Sequence, residues 1–386
     1  MRAKVLAFGL VGAMFLGVSS MTQGQGQGGS LVIAGGALQD SSGAIFKRLV
    51  QLAGKGSICA LGTANGNPAR VADLAVSDIK VAGGVGVAVD ITTRNAAQST
   101  IDPKTLEILR GCAGFWFEGG DQRRIMDAFA PNGKATPALE VIRQRFAAGA
   151  VIGGTSAGAA MMSDPMIAEG SSLEALRAGK ATLESGLGFV QGVVTDQHFL
   201  KRGRFARLLL AMAQSNSGLA VGVDEDTALI IPASGAWQVI GSSSVTIFEA
   251  PRGLKPDKLE DIEVSMLSQG DTFDPATRAI TVSSARKAIA VNDTYFGSGV
   301  RFDANLSAPD AFKNLMQDFA DSPENTASGL FMTGSSATNF IDDAWRVILE
   351  KTEHSTGYHG RGDGNTYSVV RLKLRLEGVR VSVVPR

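Results

Sequence analysis

The stretch "AVIGGTSAGAAMM", residues 150–162, decides how the rest of the chain is read. Ala150 to Gly153 are small or apolar and read as the end of a buried strand. Ala159 to Met162 are good helix formers. Between them Gly154-Thr155-Ser156-Ala157-Gly158 fits G-x-S-x-G, the pattern of a strained strand-to-helix turn that lifts one serine to the end of a sheet. Glycines suit such a turn because a side chain would clash with neighbouring backbone. A βα turn that only packs, or that cradles a phosphate, fits the same letters. The serine therefore has to be judged by what the rest of the chain supplies.

On either side, apolar runs of four to six residues alternate with helical periodicity. Strands are expected at Ser30–Ala34, Ser57–Leu61, Asp78–Val81, Gly114–Phe117, Val151–Ile152, Gly192–Thr195, Leu219–Val223 and Ala228–Ile231, with a helix at Ala44–Ala53. This predicts an α/β fold, an open and mostly parallel sheet with helices on both faces. Gly35-Gly36, Gly119-Gly120 and Gly154–Gly158 follow or end strands, where such sheets bind ligands. After Gly241 the pieces shorten, as at Ser244–Ile247 and Ala279–Val282. An amphipathic helix is expected around Asn339–Leu349, and Ser368–Arg386 alternates like one or two half-exposed strands.

The chain has 386 residues, 44% of them apolar and 19% charged, which suits a globular protein with a real core. Its 37 basic residues balance 37 acidic ones, which argues against a nucleic-acid partner. Arg2 and Lys4 precede an apolar run, Val5–Val18, too short to span a bilayer comfortably. With the polar, glycine-rich residues that follow, it predicts a signal peptide, export to the periplasm or beyond, and no membrane association once it is removed. The expected division is a leader over 1–29, a main domain over 30–290 and a C-terminal extension over 291–386. Cys59 and Cys112 read by default as buried free thiols, with one disulfide open to an exported protein. Neither has metal-ligand spacing, so no metal and no cofactor is expected.

A serine hydroxyl needs a base and a pair of donors for the oxyanion. The chain has three histidines. His354 and His359 lie in the polar run "EKTEHSTGYHGRGDGN". His198 follows the strand-like Gly192–Thr195, at its carboxyl end, and is the expected base. The acid should come from Asp224-Glu225-Asp226 at the next strand end, with Glu174 as a competitor. The amide of Ala157 and that of Gly119 or Gly120 are the expected oxyanion donors.

Four segments, "FWFEGGDQRRI", "VIGGTSAGAAMMSDPMI", "GLGFVQGVVTDQHFLKRGRFARLL" and "LAVGVDEDTALII", resemble the cyanophycinases and cyanophycinase-like serine peptidases, in the peptidase family of aspartyl dipeptidase. The resemblance covers roughly residues 30–285. It implies a class I glutamine-amidotransferase-like fold and a Ser156, His198, Glu225 triad. It further implies pocket roles for Gln122, Asp196, Gln197, Arg202, Arg204 and Arg207. The implied substrate is cyanophycin, an aspartate polymer carrying arginine, cut to β-aspartyl-arginine. An isoaspartyl or aspartyl dipeptidase is the alternative, as is a non-catalytic binding protein on the same fold. An α/β-hydrolase esterase would need the late His354 or His359. A homodimer is open.

Overall fold

The structure is a computed structural model that describes residues 28–39, 43–290, 292–332, 340–360 and 366–382. The leader, apart from its last two residues, lies outside them. The first strand, β1 (Leu31–Ala34), leads into α1 (Gly43–Ala53), which buries Ile45, Phe46, Leu49 and Ala53 on one face. Next come β2 (Ser57–Leu61), α2 (Pro68–Val81), β3 (Val85–Val89), α3 (Ala96–Ser99), α4 (Pro103–Gly111) and β4 (Cys112–Phe117). They are followed by α5 (Gln122–Phe129), α6 (Pro137–Ala147), β5 (Val151–Thr155) and the single turn α7 (Ala157–Ala160).

Asp78–Val81, expected as a strand, is the end of α2. Asn67 caps that helix, Pro68 opens it, and Ala72, Ala75 and Ile79 fall on one buried face. The strand comes later, at β3. Asp78-Ile79-Lys80-Val81 alternates polar and apolar like a strand, and four residues are too few to tell that period from a helix's.

After α7 the chain forms a hairpin of β6 (Met166–Glu169) and β7 (Thr182–Glu184) around α8 (Ser172–Ala178). Then follow β8 (Val194–Gln197), α9 (Phe205–Gln214), β9 (Leu219–Val223), β10 (Thr227–Ile231), β11 (Trp237–Gly241), β12 (Ser244–Glu249) and β13 (Leu259–Ser268). The short β14 (Thr272–Phe273), β15 (Ile280–Thr281), β16 (Arg286–Ala288) and β17 (Arg301–Asp303) precede α10 (Ala311–Ala320). The last strands are β18 (Thr326–Met332), β19 (Phe340–Glu350), β20 (Thr356–Gly360) and β21 (Tyr367–Ser382).

Among the described residues the strands build a nine-stranded sheet in the order β15-β14-β11-β10-β1-β5-β4-β2-β3. Only β1, β5, β4, β2 and β3 are mutually parallel; the other pairings in it are antiparallel. A ten-stranded sheet is antiparallel except for β8 beside β9 and β17 beside β18. The protein is thus mixed α/β, with a parallel core rather than a mostly parallel sheet. Strands β16 to β21 all join the second sheet, β21 pairing with β13. The helix expected at Asn339–Leu349 is instead strand β19, and Asn339 itself lies outside the described residues. Held between β18 and β21, β19 is covered on both edges, so its apolar residues pack as a strand.

The two sheets share a core. Ile33, Phe115, Phe117 and Ile152 of the first pack in one cluster with Val221, Val223, Val245 and Ile247 of the second. The opposite face of the first sheet carries α1 and α2 on Val32, Ala34 and Trp116. The opposite face of the second carries α9 and α10, where Phe205 stacks on Phe312 with ring centroids 4.0 Å apart. Helix α9 is apolar nearly all round, as a helix buried on all sides must be.

Cys59 and Cys112 are not free thiols. They form a disulfide, with Cα atoms 5.9 Å apart, between the adjacent strands β2 and β4. Among the described residues no helix is long and apolar enough to cross a membrane, and no group of three His, Cys, Asp or Glu is arranged for a metal.

Candidate active site

Strand β5 is glycine-rich because its neighbours leave no room. A Cβ on Gly153 would stand 2.6 Å from the Trp116 ring, and one on Gly154 would stand 2.5 Å from the Gly158 carbonyl oxygen. The chain then turns sharply. Ser156 has φ 54° and ψ −109°, a conformation a non-glycine residue adopts only when its surroundings impose it. Its N–H donates to the Ala34 carbonyl at the end of β1 (3.0 Å), which holds the turn. Ala157 opens α7, so its N–H precedes the first helical hydrogen bond and is free to serve a ligand. Gly119 follows β4 against Ser156: a Cβ there would be 3.1 Å from the serine Cβ. Asn65 donates to the Gly119 carbonyl (3.0 Å) and steadies that loop.

His198 follows β8 directly, with φ 49°, and its N–H donates to the Gly35 carbonyl (2.7 Å). Its Nε2 lies 2.9 Å from Ser156 Oγ and its Nδ1 2.7 Å from Glu225 Oε1. The ring is buried, and that burial pulls its pKa below the usual histidine value. The hydrogen bond to Glu225 opposes the shift, and Arg202 and Arg204 reinforce it. The imidazole is therefore neutral at neutral pH, with Nδ1–H held by Glu225 and Nε2 open to a proton.

The three carboxylates after β9 have separate duties. Asp224 accepts from the N–H groups of Leu200 and Lys201 and from the Ser243 hydroxyl. Asp226 accepts from the Gln39 N–H and the Ser242 hydroxyl. Only Glu225, between them, reaches the histidine. Glu174 does not: it forms a capping box with Ser171 at the start of α8, its carboxylate accepting from the Ser171 N–H at 2.6 Å. His354 is exposed beside Glu353, and His359 lies on β20 against Tyr367.

The expected pocket residues divide as well. Asp196 and Arg207 are both buried and close a two-pronged ion pair, Nε to Oδ2 at 2.8 Å and Nη2 to Oδ1 at 2.6 Å. Arg207 also donates to the Gly170 carbonyl. Arg207 is therefore held by internal partners. Gln122 is buried and donates to the carbonyls of Ile167 and Ala168. Arg204 Nη1 donates to the Gln197 carbonyl (2.8 Å) and side chain (2.9 Å). Burial pushes its pKa down to about 10. Arg202 is exposed.

Sequence reasoning passed over Asn65, Ser242 and Ser243. Each is a small polar residue in a loop, and its importance lies wholly in a partner distant along the chain. The site also draws on both sheets, Ser156 and Gly119 from the first and His198 and Glu225 from the second. The Gly35 and Gly36 carbonyls tie the two together by accepting from the N–H groups of His198 and Asp226.

Fold and site together define an α/β protein whose strand-end serine is hydrogen-bonded to a histidine that is hydrogen-bonded to a glutamate. The comparisons are more specific. The family model described as Peptidase family S51 matches residues 88–239. The chain is 36% identical to a cyanophycinase of Nostoc sp. over 196 residues, 48% of this chain and 63% of that one, with the same figures for a cyanophycinase of Trichormus variabilis. It is 33% identical to a cyanophycinase of Geminocystis herdmanii over 262 residues, 64% of this chain and 94% of that one. The match spans less than two thirds of the first two relatives and nearly all of the third. The chain belongs to peptidase family S51, together with these cyanophycinases.

Proposed function

We propose that the chain is an exported serine-type peptidase that hydrolyses cyanophycin to β-aspartyl-arginine through an acyl-enzyme. The observation that carries this reading is the line from Ser156 Oγ to His198 Nε2 to Glu225 Oε1, with spacings of 2.9 and 2.7 Å. His198 Nε2 takes the hydroxyl proton as Oγ attacks the scissile carbonyl carbon. The carbonyl oxygen becomes an oxyanion facing the N–H groups of Ala157 and the Gly119-Gly120 loop. Collapse breaks the C–N bond, and the imidazolium returns the proton to the leaving amine. Water then attacks the ester by the same route, and Ser156 is restored. Glu225 holds the tautomer and stabilises the transient imidazolium.

Arg204 suits the recognition of a substrate carboxylate. Burial disfavours its charge and Arg207 and Arg202 oppose it, while Asp196, 3.9 Å away, supports it; an arriving anion adds to that support. Arg207 acts one step back, fixing Asp196. Export is supported by the Cys59–Cys112 disulfide, since such bonds persist in oxidising compartments, and by the character of residues 1–29. The nucleophile turn after β5, within the parallel set β1-β5-β4-β2-β3, supports reading the core as glutamine-amidotransferase-like.

The test is incubation of purified protein with insoluble cyanophycin, followed by identification of soluble products. Release of β-aspartyl-arginine is expected. Ser156→Ala should cost several orders of magnitude in turnover. Glu225→Gln should cost about four, the scale on which serine proteases suffer when the triad aspartate is neutralised. Glu174→Gln should leave turnover intact. Near-normal turnover by Ser156→Ala would sink the mechanism. Cleavage of isoaspartyl dipeptides with the polymer untouched would replace the substrate.

A further inference from the structure

A cavity of about 990 Å³ lies away from the serine, among residues after 286. Among the described residues its walls carry three carboxylates, Asp293, Asp318 and Asp321, and one lysine, Lys287. Aromatic rings complete it: Tyr295, Phe296 and Tyr367, with His359 packed on Tyr367 at a centroid distance of 4.7 Å. One of these groups has no evident structural use. Asp318 is half-buried, yet among the described residues no donor is hydrogen-bonded to its carboxylate. Its burial raises its pKa, and Arg301 is the cation that offsets this. Tyr295 is 82% exposed, an unusual state for a large ring, with one edge packed on Phe296 at a centroid distance of 5.1 Å. Asp321, by contrast, is engaged, accepting from the Tyr367 hydroxyl and the Tyr295 N–H at 2.8 Å each. It also ends α10, whose terminal carbonyls add partial negative charge.

We propose that this cavity is a second ligand site, shaped for a guanidinium group such as the end of an arginine side chain. Three carboxylates against Lys287 in the lining and Arg301 at the edge leave a net negative charge, which attracts a cation. The exposed Tyr295 ring favours one that is planar and weakly hydrated, and a guanidinium can fork onto a carboxylate while stacking on a ring. The cavity's own edge repeats this mode, with Arg301 lying 5.1 Å over the Phe296 ring. Nothing in the hydrolytic steps requires the site. Its use is to hold a second part of an arginine-bearing ligand while the serine works on another.

Calorimetric titration of the full chain with agmatine, which has a guanidinium and no carboxylate, tests this, with 1,5-diaminopentane as comparator. Agmatine should bind more tightly than the diamine. Asp318→Asn should weaken agmatine about tenfold or more, the scale of a charge-assisted hydrogen bond. Tyr295→Ala, at an exposed position where folding is not at risk, should weaken it a few-fold. Both variants should keep kcat/KM on a short soluble peptide substrate. Unchanged agmatine affinity in both variants, or equal affinity for the diamine, overturns the proposal. The titration involves no hydrolysis, so its failure leaves the peptidase reading standing.

Discussion

The His198 ring occupies the space where a side chain on Gly36 would be: a Cβ there would stand 2.3 Å from His198 Cε1 and 2.4 Å from Nε2. Gly36 also has φ +108°, a region that L side chains rarely adopt. Gly36→Ala should therefore push the ring off Ser156. Misplacement by about 1 Å costs roughly 100-fold in turnover. Kinetics should show that loss in kcat, with KM nearly constant. Full activity would mean that the ring position does not limit the reaction.

The pH profile follows from the burial of His198. Its pKa lies below the ordinary histidine value, and the neutral ring is the working form. The rate should rise with pH through this lowered pKa and be level at neutrality. The stability sign agrees. A histidine with a depressed folded-state pKa contributes stability that is complete above the unfolded value, about 6.5. That contribution is lost as pH falls through the folded one. An acid limb centred above 6.5 in kcat/KM would contradict this.

Arg204 and Arg207 should separate cleanly. Arg207→Met leaves Asp196 buried without its partner, and breaking such a pair costs about 3–5 kcal/mol. Denaturant titration should show that loss. Arg204→Met should leave the fold largely intact and raise KM for substrates with a free carboxylate. A stable Arg207→Met protein with a selectively raised KM would reverse the two roles.

The disulfide closes a loop with a sequence separation of 53. By loop entropy such a cross-link stabilises by about 4 kcal/mol. Replacing Cys59 and Cys112 together by Ser should lower the denaturant midpoint accordingly. Below the transition, kcat/KM should be unchanged, because neither cysteine touches the serine site. Titration of two free thiols in the native protein would contradict the pairing.

Much of this was legible because it is local. The G-x-S-x-G turn announces itself within five residues, although only Gly154 answers to the turn itself, at the Gly158 carbonyl, while Gly158 answers to the Phe117 carbonyl of β4. His198 and Glu225 each sit just past an apolar strand, and strand ends are where an α/β fold builds its sites. Period failed where runs were short or covered twice. Asp78–Val81 needed Asn67 and Pro68 to be read as helix, and β19 needed β18 and β21 to be held as strand.

The sequence by itself determined the serine turn, the strand-end histidine and acidic triplet, and the α/β class, since each depends on neighbours in the chain. Only the tertiary structure decided which acid reaches His198, because Glu174 and Glu225 differ in their partners rather than in their local pattern. It likewise turned Arg207 inward onto Asp196, joined Cys59 to Cys112, and set the site between two sheets. Those outcomes follow from packing and pairing across long stretches of chain, where burial makes one partner favourable and leaves the others to solvent or to local caps.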